Sequence, residues 1–413
     1  MTKKVAIMKG DGIGPEIVDA MTGILKECNL QSEMVFCDAG SEQWEKNGGK
    51  DVSYIPESTM TTLEEVDACF KGPTTTIPKP GAPRSVAVTL RQKFELFANI
   101  RPVKTFKRLT PNRDVDFVCF REATEGLYTG VETQLSDDAA IAIRKISRKG
   151  CSRFMESALD WAKKYELNKV VAITKRNILK KTDGLFFDEV EKSVKNFPNM
   201  ELQEIYIDNM AQQLVINPEQ FNKSVLVSTN LFMDIISELA SGIVGSIGLI
   251  YSSNMGKDYA MFEAAHGSAP SFKGQNKVNP TATVLAGAWM ADYLGERDIR
   301  DAIFSATDQI INEGKYVTFD IGGEATTTQM SEKISELALI ANHFSNQSVN
   351  EEIESIKVAN EARQISNRVT KASVRERMSD LSEKDFERNS AFPIRQSAQK
   401  EKFNFPILPT TIP

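Results

Sequence analysis

Residues 4–25, KVAIMKGDGIGPEIVDAMTGIL, decide the fold. KVAIM is an apolar run that reads as a buried strand. The glycines then turn the chain. Ile17, Met21, Ile24 and Leu25 follow at helical spacing and share one face. Gly14 is expected at the helix cap and Pro15 at the first helical position, where a missing N–H costs nothing. This strand–turn–helix is not a dinucleotide fingerprint. Its glycines run G-x-G-x-G at 10, 12 and 14, and no acidic residue closes a second strand about 20 residues later. A tight structural turn lining a cleft is the better reading, with a Rossmann site the minor alternative.

Working outward, the same alternation recurs. KVVAITK ends at Lys175 and precedes the helix RNILKKTDGLFFDEVEKSV. EIYID ends at Asp208 and opens NMAQQLV, and SVLVSTN leads into LFMDIISELAS. A further helix is expected over Arg153–Tyr165. Strands alternating with helices predict an α/β protein with a largely parallel sheet. Residues just past the carboxyl ends of such strands line the ligand crevice, which points to Lys175, Asp208 and Asp234.

The chain has 413 residues, enough for two or three domains or one large two-lobed unit. A net charge of −6 with no basic block argues against nucleic acid as a partner. The longest apolar run, near Leu239–Tyr251, is too short and interrupted to span a membrane. The N-terminal apolar run is too short for a signal peptide. The five cysteines show no Cys-x-x-Cys, as expected of reduced thiols in a cytoplasmic protein. The only histidines are His266 and His343, so a His-rich zinc site is excluded. Chemistry must rest on carboxylates, Lys, Tyr and Arg.

Arg84–Pro102, RSVAVTLRQKFELFANIRP, sets Arg84, Arg91 and Arg101 among apolar residues, and Arg121 follows in CFRE. Converging guanidiniums would grip a substrate with several carboxylates; the alternative is surface arginines with buried stems. Asp234 and Glu238 stand four apart, on one helix face opposite a stripe of Leu231, Ile235 and Leu239. With Asp208 they would suit Mg²⁺ or Mn²⁺; a solvated acidic face is the plainer reading of the spacing. Lys175 is a candidate base and Tyr128 a candidate proton donor. Thr74–Thr76, in a Gly/Pro loop, either donate to a ligand or cap a turn.

Together, the blocks GDGIGPE, LRQKFELFANIRP, FREATEGLYTG, TKRNILKKTDGLF and FEAAHGSAPSFKGQNKVNPTA resemble the metal-dependent β-decarboxylating dehydrogenases: the isocitrate, 3-isopropylmalate and homoisocitrate enzymes. The resemblance implies a large discontinuous domain, 1–105 with 285–345, plus a smaller inserted dimerisation domain, 106–284. This is not a Rossmann fold, and residues 346–413 extend beyond it. Arg91, Arg101 and Arg121 would clamp the carboxylates of a 2-hydroxy acid, and Asp208, Asp234 and Glu238 would hold the metal. Lys175 would assist removal of the hydroxyl proton, and Tyr128 would protonate the enolate left after CO₂ departs. Lys175 and Asp208 would reach into the partner's cleft of a homodimer. The cofactor would lie on Thr75, Thr76, Asn177, Glu263, His266, Gly267, Ser268, Ala269, Pro270 and Asn279.

RSVAVTLR resembles the isocitrate pattern, with Ser85 for the γ-carboxylate; homoisocitrate and isopropylmalate are the runners-up. Ser271, Phe272, Phe319 and Gly323 lack the basic and tyrosine partners of a 2′-phosphate, which favours NAD over NADP, although Lys273 and Lys277 are near. Ala87, Met233, Glu238 and Arg176 depart from the family pattern. These departures leave a non-catalytic regulatory subunit as the rival expectation.

Overall fold

The structure, a computed structural model, describes residues 2–79 and 81–341. The expected C-terminal extension and His343 lie outside the described residues. Among those residues the strands are β1 (Lys4–Met8), β2 (Glu33–Cys37), β3 (Ala68–Lys71), β4 (Ala98–Lys104), β5 (Asp116–Glu122), β6 (Glu132–Ser136), β7 (Ala139–Ala142), β8 (Lys169–Thr174), β9 (Glu201–Tyr206), β10 (Ser224–Ser228), β11 (Tyr251–Met255) and β12 (Ala260–Ala264). The helices are α1 (Gly14–Glu27), α2 (Ser41–Lys46), α3 (Glu57–Glu65), α4 (Val86–Lys93), α5 (Arg148–Lys164), α6 (Thr182–Val194), α7 (Ile207–Ile216), α8 (Asn230–Val244), α9 (Thr281–Tyr293) and α10 (Arg297–Glu313).

Ten strands form one sheet in the order β2-β1-β3-β12-β11-β4-β5-β10-β8-β9. Pairing is parallel within β2-β1-β3-β12 and within β5-β10-β8-β9. Three antiparallel pairings join the two runs: β12–β11, β11–β4 and β4–β5. Three reversals leave the runs antiparallel to each other. Their carboxyl ends therefore open at opposite ends of the sheet, so the single crevice expected of a parallel sheet is divided. Strands β11 and β12 lie between β3 and β4, although the division at residue 284 groups them with β5–β10.

The KVAIM strand is buried through Val5, Ala6, Ile7 and Met8. The helix after it begins one residue earlier than expected: Ile13 occupies the cap and Gly14 is already helical. The packing partner of α1 is α9, TATVLAGAWMADY, which is buried almost all round. Small residues make that approach possible; an added Cβ at Gly287 would collide with the Met21 side chain. The α5 helix starts earlier than Arg153 because Ser147 caps it, its Oγ accepting the Gly150 N–H at 3.1 Å. The helix after Lys175 begins only at Thr182, leaving residues 175–181 as a turn. On α8 the stripe expected to be buried is not the core face. Met233, Ile236, Ser237 and Ala240 are buried, while Ile235 is 53% exposed.

Candidate active site

The three arginines come from different elements: Arg91 from the last turn of α4, Arg101 from β4 and Arg121 from β5. All are buried, at 7%, 7% and 3% exposure, which removes the surface-arginine reading. Arg91 Nε donates to Asn254 Oδ1 at 2.8 Å, and its Nη2 lies 3.3 Å from Glu263 Oε1. Arg101 donates from Nε to Asn99 Oδ1 at 2.9 Å and from Nη1 to Ser237 Oγ at 3.0 Å and Glu238 Oε1 at 2.8 Å. Arg121 donates to Asn230 Oδ1 from Nε at 2.9 Å and from Nη2 at 2.7 Å, and pairs through Nη1 with Asp234.

These guanidiniums feel one another. Burial, Arg91 and Arg101 pull the Arg121 pKa down to about 10 against the attraction of Asp234. It stays charged at neutral pH, in a place where an anion relieves repulsion. Tyr128, in the short helix Leu127–Thr129, donates its hydroxyl to Asp234, and its ring lies 4.8 Å from the Arg121 guanidinium carbon. Burial and the bond to Asp234 raise the Tyr128 pKa, so it holds its proton at neutral pH.

Asp234 and Glu238 project from α8 toward the arginines, as their spacing requires. Both are hard oxygen donors fit for Mg²⁺ or Mn²⁺. Asp208 does not join them within one chain. It follows β9 and is 68% exposed at its side chain, with Oδ1 2.7 Å from Lys175 Nζ. Lys175 follows β8, two strands from β5, or about 10 Å at the usual strand spacing. Among the described residues no three His, Cys, Asp or Glu side chains of a single chain form a metal cluster. Asp234 and Glu238 are thus the two candidate carboxylates that stand together, with Asp208 apart from them.

The candidate cofactor residues fall into two places. Loops after β1, β3 and β12 converge. Asp11, 1% exposed, accepts N–H groups from Ser41 at 3.0 Å, Glu42 at 2.8 Å and Thr75 at 2.7 Å. Thr75 Oγ1 meets Ser268 Oγ at 2.6 Å, and Ile13 N–H donates to the Ser268 carbonyl at 2.9 Å. Gly12, at φ +61°, presses against that carbonyl, so a Cβ there would clash. Thr76, Gly267 and Pro270 are exposed at this junction, and Ala269 adopts φ +36° to turn the chain into Pro270. Burial lowers the His266 pKa, keeping the ring neutral. Its Nε2 is buried without a partner, a free polar atom suited to a ligand. Asn279 Nδ2 donates to Asp320 at 3.1 Å.

Glu263 is better described as an anchor. It pairs with Lys71 at 2.9 Å and with Arg91, and accepts from Asn254 at 2.7 Å. Burial pushes its pKa up, but Lys71, Arg91 and the hydrogen bonds outweigh this and leave it at about 2. Asn177 stands apart, exposed on the turn after β8. Ser85 caps α4, accepting the Val88 N–H at 3.2 Å.

Sequence reasoning missed Asp11, Lys71, Asn99, Asn230 and Asn254. Asn99 and Asn254 carried a usable signal, as amides within buried strands. Two departures from the family pattern have local explanations. Arg176 pairs with Glu204 at 2.7 Å and stacks on Phe187 at 4.2 Å, and Met233 fills the core.

The family model described as isocitrate/isopropylmalate dehydrogenase matches residues 4–334. A 3-isopropylmalate dehydrogenase of Methanothermobacter thermautotrophicus is 38% identical over 335 residues, covering 80% of this chain and 97% of that protein. An isocitrate/homoisocitrate dehydrogenase of Thermus thermophilus is 38% identical over 338 residues, covering 81% and 98%. The crystal structure of isocitrate dehydrogenase from Methylococcus capsulatus superposes with a TM-score of 0.77 at 39% identity, covering 82% of this chain and 100% of that one. Sequence, fold and the convergence of the three arginines thus agree: the chain belongs to the isocitrate/isopropylmalate dehydrogenase family of oxidoreductases.

Proposed function

We propose that the protein is an NAD-linked isocitrate dehydrogenase that converts isocitrate to 2-oxoglutarate and CO₂ as a cytoplasmic homodimer with shared sites. The observation that carries this reading is the meeting of buried Arg101 and Arg121 with Tyr128, Asp234 and Glu238, with the charge of Arg91 felt at Arg121. Three guanidiniums against two carboxylates leave one positive charge, and a bound divalent ion would raise the sum to the three that balance a tricarboxylate.

Arg91, Arg101 and Arg121 bind and orient the carboxylates. Asp234 and Glu238, with Asp208 from a second copy, would hold the divalent ion. A bound Mg²⁺ or Mn²⁺ would supply Lewis acidity and a bound NAD would supply the hydride acceptor. Lys175 of the second copy assists removal of the hydroxyl proton. Tyr128 gives its proton to the carbon that loses CO₂.

Exposed apolar residues support assembly. Val131, Leu135, Ile141 and Ile143 lie on or beside the two-stranded β6–β7 ribbon, and Ile235 lies beside Asp234. Ser85 keeps its hydroxyl proton available, which suits a γ-carboxylate. Phe272 and Phe319 stack at 5.7 Å where a 2′-phosphate would need cations, and Lys273 is engaged by Glu42; both favour NAD. Among the described residues Cys37, Cys69, Cys119 and Cys151 form no disulfide, which suits a reducing compartment. The lobe division at residues 105 and 284, which assigns β11 and β12 to the smaller lobe, belongs to this proposal.

The test is a panel of isocitrate, homoisocitrate and 3-isopropylmalate against NAD and NADP, with Mg²⁺ or Mn²⁺. The highest kcat/KM is expected for isocitrate with NAD. A preference for another acid reassigns the substrate. Silence from folded protein across the panel favours a regulatory subunit.

A further inference from the structure

Arg144 stands two residues past the β6–β7 ribbon, with its side chain only 15% exposed. Its Nη1 donates to Thr182 Oγ1 at 2.7 Å and Asp183 Oδ1 at 2.6 Å, and its Nη2 to Thr229 Oγ1 at 2.7 Å. The guanidinium carbon lies 5.1 Å from the centre of the Phe232 ring. Asp183 is fully buried, and its second oxygen accepts the Lys175 backbone N–H at 2.6 Å. Thr229 is the residue from which α8, the helix of Asp234 and Glu238, departs. One planar fork thus touches the start of α6, the turn that carries Lys175 through Asp183, and the start of α8. A guanidinium holds such a span rigidly because its donors are fixed in one plane.

We propose that Arg144, acting through Asp183, is a positioning residue that sets the distance between the Lys175 turn and α8 and couples it to the ribbon. In a dimer of the kind proposed above, Lys175 serves one site while Asp234 and Glu238 of the same chain serve the other. The Arg144 fork then links the geometry of both sites. The inference rests on the reading of Lys175 as a proton-transfer group.

The experiment compares R144K, R144Q, D183N and the double variant R144Q/D183N with the parent dimer. Lysine keeps the charge but cannot span Asp183 and Thr229 with fixed geometry. R144K is expected to lower kcat about tenfold or more, with KM for the hydroxy acid held within about twofold, at unchanged dimer mass. The double variant leaves no buried ion stranded, and it should lose no more activity than D183N alone, because both act on one contact. Parental kcat in R144K, strictly additive losses, or a rise in KM alone would overturn the proposal. K175M is the control that separates the two claims. If K175M turns over like the parent, the reading of Lys175 itself falls; if K175M is inert while R144K is unimpaired, only the positioning role falls.

Discussion

Glu238 places a carboxylate oxygen 2.8 Å from Nη1 of Arg101. A group suited to a cation thus lies against a group suited to an anion, and each partly neutralises the other. The Glu side chain makes this reach from α8. Changing Glu238 to Gln keeps the shape and removes the charge. The Mn²⁺ concentration for half-maximal activity should rise about tenfold, the equivalent of roughly 1.4 kcal/mol, while unfolding stability changes by less than about 1 kcal/mol because the side chain is half exposed. A metal titration of the two proteins checks this, and an unchanged metal requirement removes Glu238 from the donor set.

Tyr128→Phe deletes the hydroxyl bonded to Asp234. Loss of a positioned acid costs on the order of 100-fold in kcat. The carboxylate clamp is untouched, so KM for the hydroxy acid should stay nearly constant. Steady-state kinetics decide; an equal loss in binding would make Tyr128 a binding group instead.

Lys71→Met takes one cation from buried Glu263. Breaking a buried pair costs about 3 kcal/mol, though Arg91 remains to compensate part of it. The pH dependence has a definite sign. The folded pKa of Glu263 is depressed to about 2 from an ordinary 4.5, so its contribution is complete above pH 4.5 and disappears as the pH falls toward 2. Without Lys71 the folded pKa rises toward 4.5, and the contribution becomes smaller and is exhausted at higher pH. Thermal unfolding between pH 2 and 6 would reveal the shift.

If Lys175 serves a second copy's arginine cluster, two dead variants should rescue each other. K175M and R121A chains unfolded and refolded together should recover about a quarter of parental activity: half the dimers are mixed, and each holds one complete site. No recovery, with mixed dimers verified by mass, would place each site within one chain.

Glu42→Gln releases Lys273, whose ammonium group it holds beside the Gly12 turn. A freed cation near the nucleotide loops should raise kcat/KM for NADP relative to NAD by about tenfold. An unchanged ratio would show that Lys273 lies out of reach of the 2′-phosphate.

Much of the fold could be read from periodicity, because KVAIM, KVVAITK and SVLVSTN are buried along most of their length and strand patterns survive burial. The arginine stretch was legible only in part, because the same apolar setting also allows surface arginines with buried stems; burial of Arg91, Arg101 and Arg121 decides between the two. Other features depended on geometry that spacing does not encode. Lys175 and Asp208 stand at strand ends as expected, yet they pair with each other and not with Asp234. Asn177 follows them to the far side of the sheet. The face of α8 was misjudged because Ile235 is apolar but lies outside the core. Asp11 was overlooked because a lone acid between glycines looks like an ordinary turn residue.

The reversal of strand direction across β12, β11, β4 and β5 separates two sets of connections. The loops that would meet the nucleotide leave one end of the sheet, while those bearing Lys175, Asp208 and Asp234 leave the other. On such a scaffold a change in one set of connections leaves the other set, at the far end of the sheet, untouched.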